Sequence, residues 1–256
     1  MKSKPSGGRK RKTGEPGSPV GLSVFNPVSV MSHELRTPLS VLEHLASILL
    51  EKEMTNPARR EILMTIRDEA GRLSSLVNRV IDLKRIDSGD WQLDKVEVNL
   101  AREVDHVLLS LDLESEGRGV TVRKSGDTRL HADRVLLEAL LREALVNALR
   151  FSAEGSTICV ETNHLGNGSV ALRVDSAGVA LPPEAIPAVF EVFVRAVLPE
   201  HRERAGAGLG LSFVQAIARA HGGSASMTAM SRGNRLDVFF PTVGKSKTTR
   251  GGMKTP

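Results

Sequence analysis

The sequence predicts an α+β protein: an antiparallel helical hairpin that closes a four-helix bundle with a second copy of itself, followed by a two-layer α/β sandwich. Three observations predict it. Apolar residues recur at helical spacing through roughly the first ninety residues, and at period two across turn signals in the second half. A run of alternate glycines in "RAGAGLGLSFVQAIARAHGG" leads straight into an amphipathic stretch that stops at a second glycine pair.

Residues 1–25 read as a basic tail, and residues 244–256 as another, both rich in Gly, Ser, Pro and Lys and without apolar periodicity. The first 17 residues hold six Lys or Arg and one acid, and the last 13 hold four Lys or Arg and no acid. The net charge of +5 therefore conceals a segment of net charge −4 between the tails. "RKRK" is read as part of a solvated tail, with no clear nucleic-acid or membrane role. In 256 residues, 40% of them hydrophobic, there is enough apolar material for one or two cores. No apolar run approaches the roughly 18 residues of a membrane span, and no signal peptide is evident. A lone Cys159 is expected to be a small strand residue in a reducing compartment, which makes the expected location cytoplasmic.

The hairpin is expected over 26–90. Asn26-Pro27 is an N-cap followed by a proline at the first helical position, and Met31, Leu35, Pro38/Leu39, Leu42, Leu45/Ala46 and Leu49 form an apolar stripe. After "EKEMTNP" a second stripe runs through Ile62, Ile66, Ala70, Leu73, Leu76/Val77, Val80 and Leu83. Each stripe is too narrow for a stable isolated hairpin, which argues for a homodimer. His33 lies two residues from Met31 and from Leu35, about 200° around the helix from each, so it points away from the seam. Pro38 removes a backbone donor one turn further on, at a cost of about 3 kcal/mol. Such a cost beside the pair His33-Glu34 marks a functional position, whereas His44 is read as ordinary surface.

The sandwich is expected over 91–243. "STICVETNH" and "SVALRVDSA" alternate across "LGNGS", and "ASMTAM" and "RLDVFF" across "SRGN", as two hairpins would. Two helices, "DRVLLEALLREALVNALRFS" and "GLSFVQAIARAHGG", are expected between them. Glycines before a helix N-terminus allow backbone N–H groups to approach a polyphosphate.

Taken together, these segments resemble a sensor histidine kinase of a bacterial two-component system, over about residues 26–243. "SHELRTPLS" resembles the family's phosphoacceptor box, "REALVNALRFS" its asparagine box, "AVFEVFVRA" its phenylalanine box and "GAGLGLSFVQAIARAHGG" its second glycine box. The resemblance implies a sandwich of the histidine kinase/gyrase ATPase type, ATP and Mg²⁺ as cofactors, and the receiver domain of a response regulator as partner. It implies that His33 accepts the γ-phosphoryl group, that Glu34 is general base, and that Thr37 positions water for dephosphorylating the regulator. It further implies that Asn147 holds Mg²⁺, that Arg150 contacts a phosphate, that Phe151 packs near adenine, and that Gly178, Gly206, Gly208, Gly210 and Leu211 border the nucleotide, with a lid over 195–206. Phe190 and Phe193 are read as core. No sensor domain is recognisable, so the input is expected from a separate protein, a lost upstream segment or the tail.

Two departures from the pattern matter. In "VDSAGVALPPE", alignment on Gly178 puts Ser176 where the family has the aspartate that binds the adenine amino group, with Asp175 one residue early; a bulge would be needed to bring Asp175 round. Glu143 stands where the family has a first asparagine, and where the wider gyrase-like superfamily has a water-activating base. That leaves open a Mg²⁺ or hydrolytic role beside that of a tolerated substitute. The expected activity is ATP-dependent histidine autophosphorylation and transfer to a regulator aspartate. The alternatives are a degenerate kinase acting as docking module or regulator phosphatase, and a hydrolytic ATPase.

Overall fold

The structure is a computed structural model that describes residues 22–23, 27–115, 120–166, 168–196 and 207–241. Helix α1 (Pro27–Glu51) and helix α2 (Asn56–Asp87) form the hairpin, joined by a four-residue connection. Proline in the first turn starts each, where its missing N–H costs nothing. Lys84 and Arg85 in the last turn of α2 face the negative end of the helix dipole. The expected stripes face inward in part: Leu35, Leu42, Leu45 and Leu49 on α1 and Ile62, Ile66, Leu73, Leu76 and Val80 on α2 are half-buried, while Ala70 is exposed. Leu39, Val41, Leu63, Met64, Val77 and Ile81 remain exposed, an apolar flank that this single hairpin leaves open to water.

The sandwich begins with β2 (Lys95–Asn99) and α3 (Leu100–Ser115), then β3 (Thr121–Ser125), β4 (Arg129–Asp133) and α4 (Arg134–Phe151). The strands β5 (Thr157–His164) and β6 (Val170–Ser176), a 3₁₀ turn at Ile186–Ala188, α5 (Gly210–Ala220), β8 (Ser224–Met230) and β9 (Gly233–Phe240) complete it. A two-residue strand β1 (Leu22–Ser23) pairs with β7 (Arg195–Ala196). The main sheet has the order β3-β5-β6-β9-β8, with β3 and β5 parallel and the other neighbours antiparallel. β2 and β4 form a separate antiparallel pair.

Both expected strand hairpins form. Period-two burial on β5 (Ile158, Val160, Thr162), β6 (Val170, Leu172, Val174) and β9 (Leu236, Val238, Phe240) presents one face of the sheet to the helices. Of the two helices expected between these hairpins only α5 lies there; α4 precedes both, and α3 is a third helix of the sandwich. Its buried residues Leu100, Val104, Val107 and Leu111 follow helical spacing, but Glu103 is buried among them and obscures the stripe. α4 is capped by Asp133, whose carboxylate accepts a hydrogen bond from the Leu136 amide at 3.1 Å. One core runs through the molecule: Val30, Leu83 and Ile86 of the hairpin join Leu137, Leu145, Leu172 and Ile217 of the sandwich.

Candidate functional site

His33 is exposed on α1, as the stripe predicts. One turn on, the Thr37 hydroxyl donates to the His33 carbonyl at 3.1 Å, and Pro38 follows with its ring buried and no N–H for the helix ladder. The ladder donor that Pro38 lacks would have gone to the carbonyl of residue 34, so the helix is loosened one residue beyond the carbonyl that the Thr37 hydroxyl holds.

On the sandwich, α4 carries Glu143, Asn147, Arg150 and Phe151, all half-buried, along the edge of its buried face. Residues 143, 147 and 150 fall within about 60° of arc, so this edge is one polar stripe. Each end of it meets a glycine segment. At the C-terminal end, Ser152 bridges to Gly178 and the Ala153 amide donates to the Ala177 carbonyl at 2.8 Å. A side chain at Gly178 would overlap the Phe151 carbonyl, which is why glycine stands there. At the other end, a carboxylate oxygen of Glu143 lies against Gly210, the first residue of α5, 2.9 Å from where a Cβ would sit.

Gly208 has φ +69°, and its carbonyl accepts from the Phe193 amide at 2.9 Å, with no room for a Cβ against the Phe193 backbone. Leu211 is half-buried in the first turn of α5. Gly206 and residues 197–206 of the expected lid lie outside the described residues, as do the expected tails except Leu22–Ser23, which form β1 against β7 where an unstructured tail was expected. Phe193 is buried with φ +65°, and Phe190 packs partly buried against the same core.

The position of Asp175 is decided by strand register. β6 pairs regularly with β5 and β9 through residues 170–176, without a bulge. Asp175 therefore faces away from Leu172 and Val174, and both its oxygens are taken by Arg235 of β9, at 2.7 Å each. Those hydrogen bonds push the Arg235 guanidinium further above its already high range. Ser176 shares the helix-facing side with Leu172 and Val174, and its hydroxyl donates to the Asn234 carbonyl at 3.4 Å.

Two residues escaped sequence reasoning. Asn234 braces the 177–181 loop, its side chain accepting from the Leu181 amide at 2.8 Å and donating to the Val179 carbonyl at 3.0 Å. Its only signal was a turn-forming asparagine in "RGN". Arg79 of α2 reaches across to Glu143, 2.7 Å from its carboxylate, and lies over the Phe213 ring with 5.5 Å to the centroid. Nothing local marks it among the hairpin's arginines.

Among the described residues no three His, Cys, Asp or Glu cluster as a self-sufficient metal site. The site's chemistry is instead that of an anion cradle: the unpaired first-turn amides of α5, glycines that keep the backbone accessible, and an amide oxygen at Asn147.

Residues 28–89 match the family model for the His Kinase A (phospho-acceptor) domain, and residues 132–244 that for the histidine kinase-, DNA gyrase B- and HSP90-like ATPase. Sensor histidine kinase CusS of Escherichia coli (strain K12) is 31% identical over 215 residues, which is 82% of this chain and 44% of that protein. The chain thus spans less than half the length of that curated relative. Among solved structures, histidine kinase AdeS of Acinetobacter baumannii superposes with a TM-score of 0.68 at 19% identity, covering 83% of this chain and 98% of that one. Histidine kinase ThkA in complex with response regulator protein TrrA gives 0.60 at 18% identity, covering 84% of this chain and 60% of that one. An exposed helical histidine ahead of a proline, a glycine-bordered anion cradle beyond it, and both family models in that order place this chain in the sensor histidine kinase family.

Proposed function

We propose that the chain is an ATP-dependent histidine autokinase that phosphorylates His33 and then gives the phosphoryl group to an aspartate of a response regulator. The observation that carries this reading is the exposed His33 imidazole beside Glu34, on a helix loosened at Pro38, in the same chain as the α4–α5 cradle. A neutral imidazole is nucleophilic near pH 7, and Glu34, next in sequence, is the base that takes the departing ring proton. Thr37 orients water for the reverse task on the regulator.

The residues present suit a magnesium polyphosphate. Mg²⁺ needs few protein oxygens because it keeps waters and phosphate oxygens, and the Asn147 amide is a hard oxygen donor on the right edge of α4. When bound, the ion neutralises charge on the phosphates. The α5 amides hold the phosphates, Arg150 adds a positive charge, and Gly178 and Phe151 shape the base end. Ser176, on the helix-facing side of β6, meets the adenine edge as a neutral group, since Asp175 is committed to Arg235. Replacing a charged acceptor by a neutral one costs about 1–2 kcal/mol, or roughly five- to thirtyfold in affinity.

That substitution also favours a second reading, a docking module or regulator phosphatase with weak nucleotide binding. The exposed apolar flank of the hairpin supports dimerisation through it, and ThkA, solved with a response regulator, supports a receiver domain as partner. Among the described residues no helix is long and apolar enough to cross a membrane.

Incubation with γ-labelled ATP and Mg²⁺ tests the reading. Acid-labile, base-stable label is expected on the wild-type chain and absent from His33→Gln. Absence of label and of nucleotide binding at millimolar ATP would favour the docking or phosphatase reading.

A further inference from the structure

Glu143 does not stand alone at the edge of the cradle. One of its oxygens is 2.7 Å from the Arg79 guanidinium, and the other lies over Gly210 at the N-terminal end of α5. A carboxylate there is stabilised twice, by the arginine and by the positive end of the helix dipole. Arg79 is held in turn by the Phe213 ring, one turn into α5, with its centroid 5.5 Å from the guanidinium carbon. Three elements, α2, α4 and α5, therefore meet at one charged point, and one of them belongs to the hairpin. The pair is partly buried, with side-chain exposures of 39% for Arg79 and 19% for Glu143, so it is better shielded than a surface contact.

The point of attachment matters for the chemistry. Counting back from the connection after Glu51, Arg79 on α2 stands level with the first turn of α1, about 8 Å along the bundle axis from His33 at 1.5 Å per residue. The end of α5 that Arg79 grips is the end that presents its amides to the phosphates.

We propose that Arg79 and Glu143 are positioning residues for phosphoryl transfer, their ion pair fixing the phosphate-binding end of α5 against the hairpin near the level of His33. This rests on the kinase reading above and deepens it by assigning Glu143 to domain placement instead of to the metal or to water activation. A directional ion pair with a stacked guanidinium sets a register that apolar packing between helices leaves loose.

Two measurements on the full chain test it. The first is amide hydrogen exchange without nucleotide, comparing wild type with Arg79→Gln, Glu143→Gln and Arg79→Lys. Faster exchange is expected in α5 and in α2 around Arg79 for both glutamine variants, with sheet amides unchanged as a control for folding. Arg79→Lys should fall between them and wild type. Unchanged protection of α2 and α5 would overturn the proposal.

The second compares the initial rate of His33 labelling with Mg-ADP affinity. Each glutamine variant should label roughly tenfold more slowly while binding Mg-ADP within about threefold of wild type, and the double variant should be no slower than either single, because one interaction is lost only once. Additive losses would mean separate roles and sink the idea. So would a large loss of Mg-ADP affinity in Glu143→Gln alone, which would return Glu143 to the nucleotide site. If wild type itself takes no label, the kinase reading falls, while the exchange experiment still decides whether the latch exists.

Discussion

Asp175 and Ser176 show how one position along a strand separates two roles. Asp175 pairs with Arg235 on one face of the sheet, and Ser176 continues the face that carries Leu172 and Val174 toward α4. Two expectations follow for nucleotide affinity. Asp175→Asn should leave Mg-ATP affinity within about twofold and lower stability by about 1–2 kcal/mol, the worth of a charged hydrogen-bonded pair partly screened by water. Ser176→Asp should raise affinity roughly tenfold by restoring a charged acceptor for the adenine amino group. Isothermal titration and chemical denaturation read both. A marked loss of affinity in Asp175→Asn would return the adenine edge to Asp175, and none gained in Ser176→Asp would show that it is not held at Ser176. The sequence alone left this pair open, because alternation places neighbours on opposite faces but does not say which face is which, nor whether a bulge intervenes.

Among the elements, α5 depends on its approach more than on its own propensity. Gly208 must take φ +69° and lie flush with the Phe193 backbone, whose amide its carbonyl accepts. Gly208→Ala should cost at least 1–2 kcal/mol from the left-handed backbone alone, visible as a melting temperature lowered by several degrees, together with weaker Mg-ADP binding. An unchanged melting curve would mean that the loop relaxes freely. The glycine pattern was legible in the sequence as a loop before a helix, but its reason lay in a strained phenylalanine that only appears once the two segments are brought together. α1 tells the same story at Pro38: the proline was readable, while the burial of its ring and the hydroxyl of Thr37 on the His33 carbonyl required the folded helix.

At the scale of the whole molecule, two features set where the chain is stable and with what. His221, after the last turn of α5, is buried between α5 and the start of α4: its Nδ1–H donates to the Ile217 carbonyl at 2.8 Å, and its Nε2 accepts from the Asp133 amide at 3.0 Å. Burial lowers its pKa below the ordinary 6.5, opposed by the hydrogen bond to Ile217, with Lys95 adding to the lowering. The folded state thus prefers the neutral ring more than the unfolded state does. Its contribution is complete above the unfolded value of about 6.5 and is lost as pH falls through that value toward the lowered folded one. Stability measured by denaturant between pH 7.5 and pH 5 should fall more steeply for wild type than for His221→Gln. Equal slopes would show that the ring does not contribute. The second feature is the open apolar flank of the hairpin. Val77→Glu combined with Ile81→Glu should shift the chain from dimer toward monomer in sedimentation experiments, and a dimer unaffected by both changes would place the interface elsewhere.

By itself the sequence determined what is local: helical stripes, strand alternation, caps, the histidine turned away from its seam, and the order of glycine and asparagine segments that carries the family. These follow from periodicities of 3.6 and 2 residues and from backbone preferences, which act over a few positions. Only the tertiary structure decided that Asp175 belongs to Arg235, that Asn234 braces the loop beside Gly178, and that Glu143 is shared with Arg79 of the hairpin. Each is a pairing between side chains on different elements. Such pairings are fixed by register and packing across the core, and no window of sequence contains both partners.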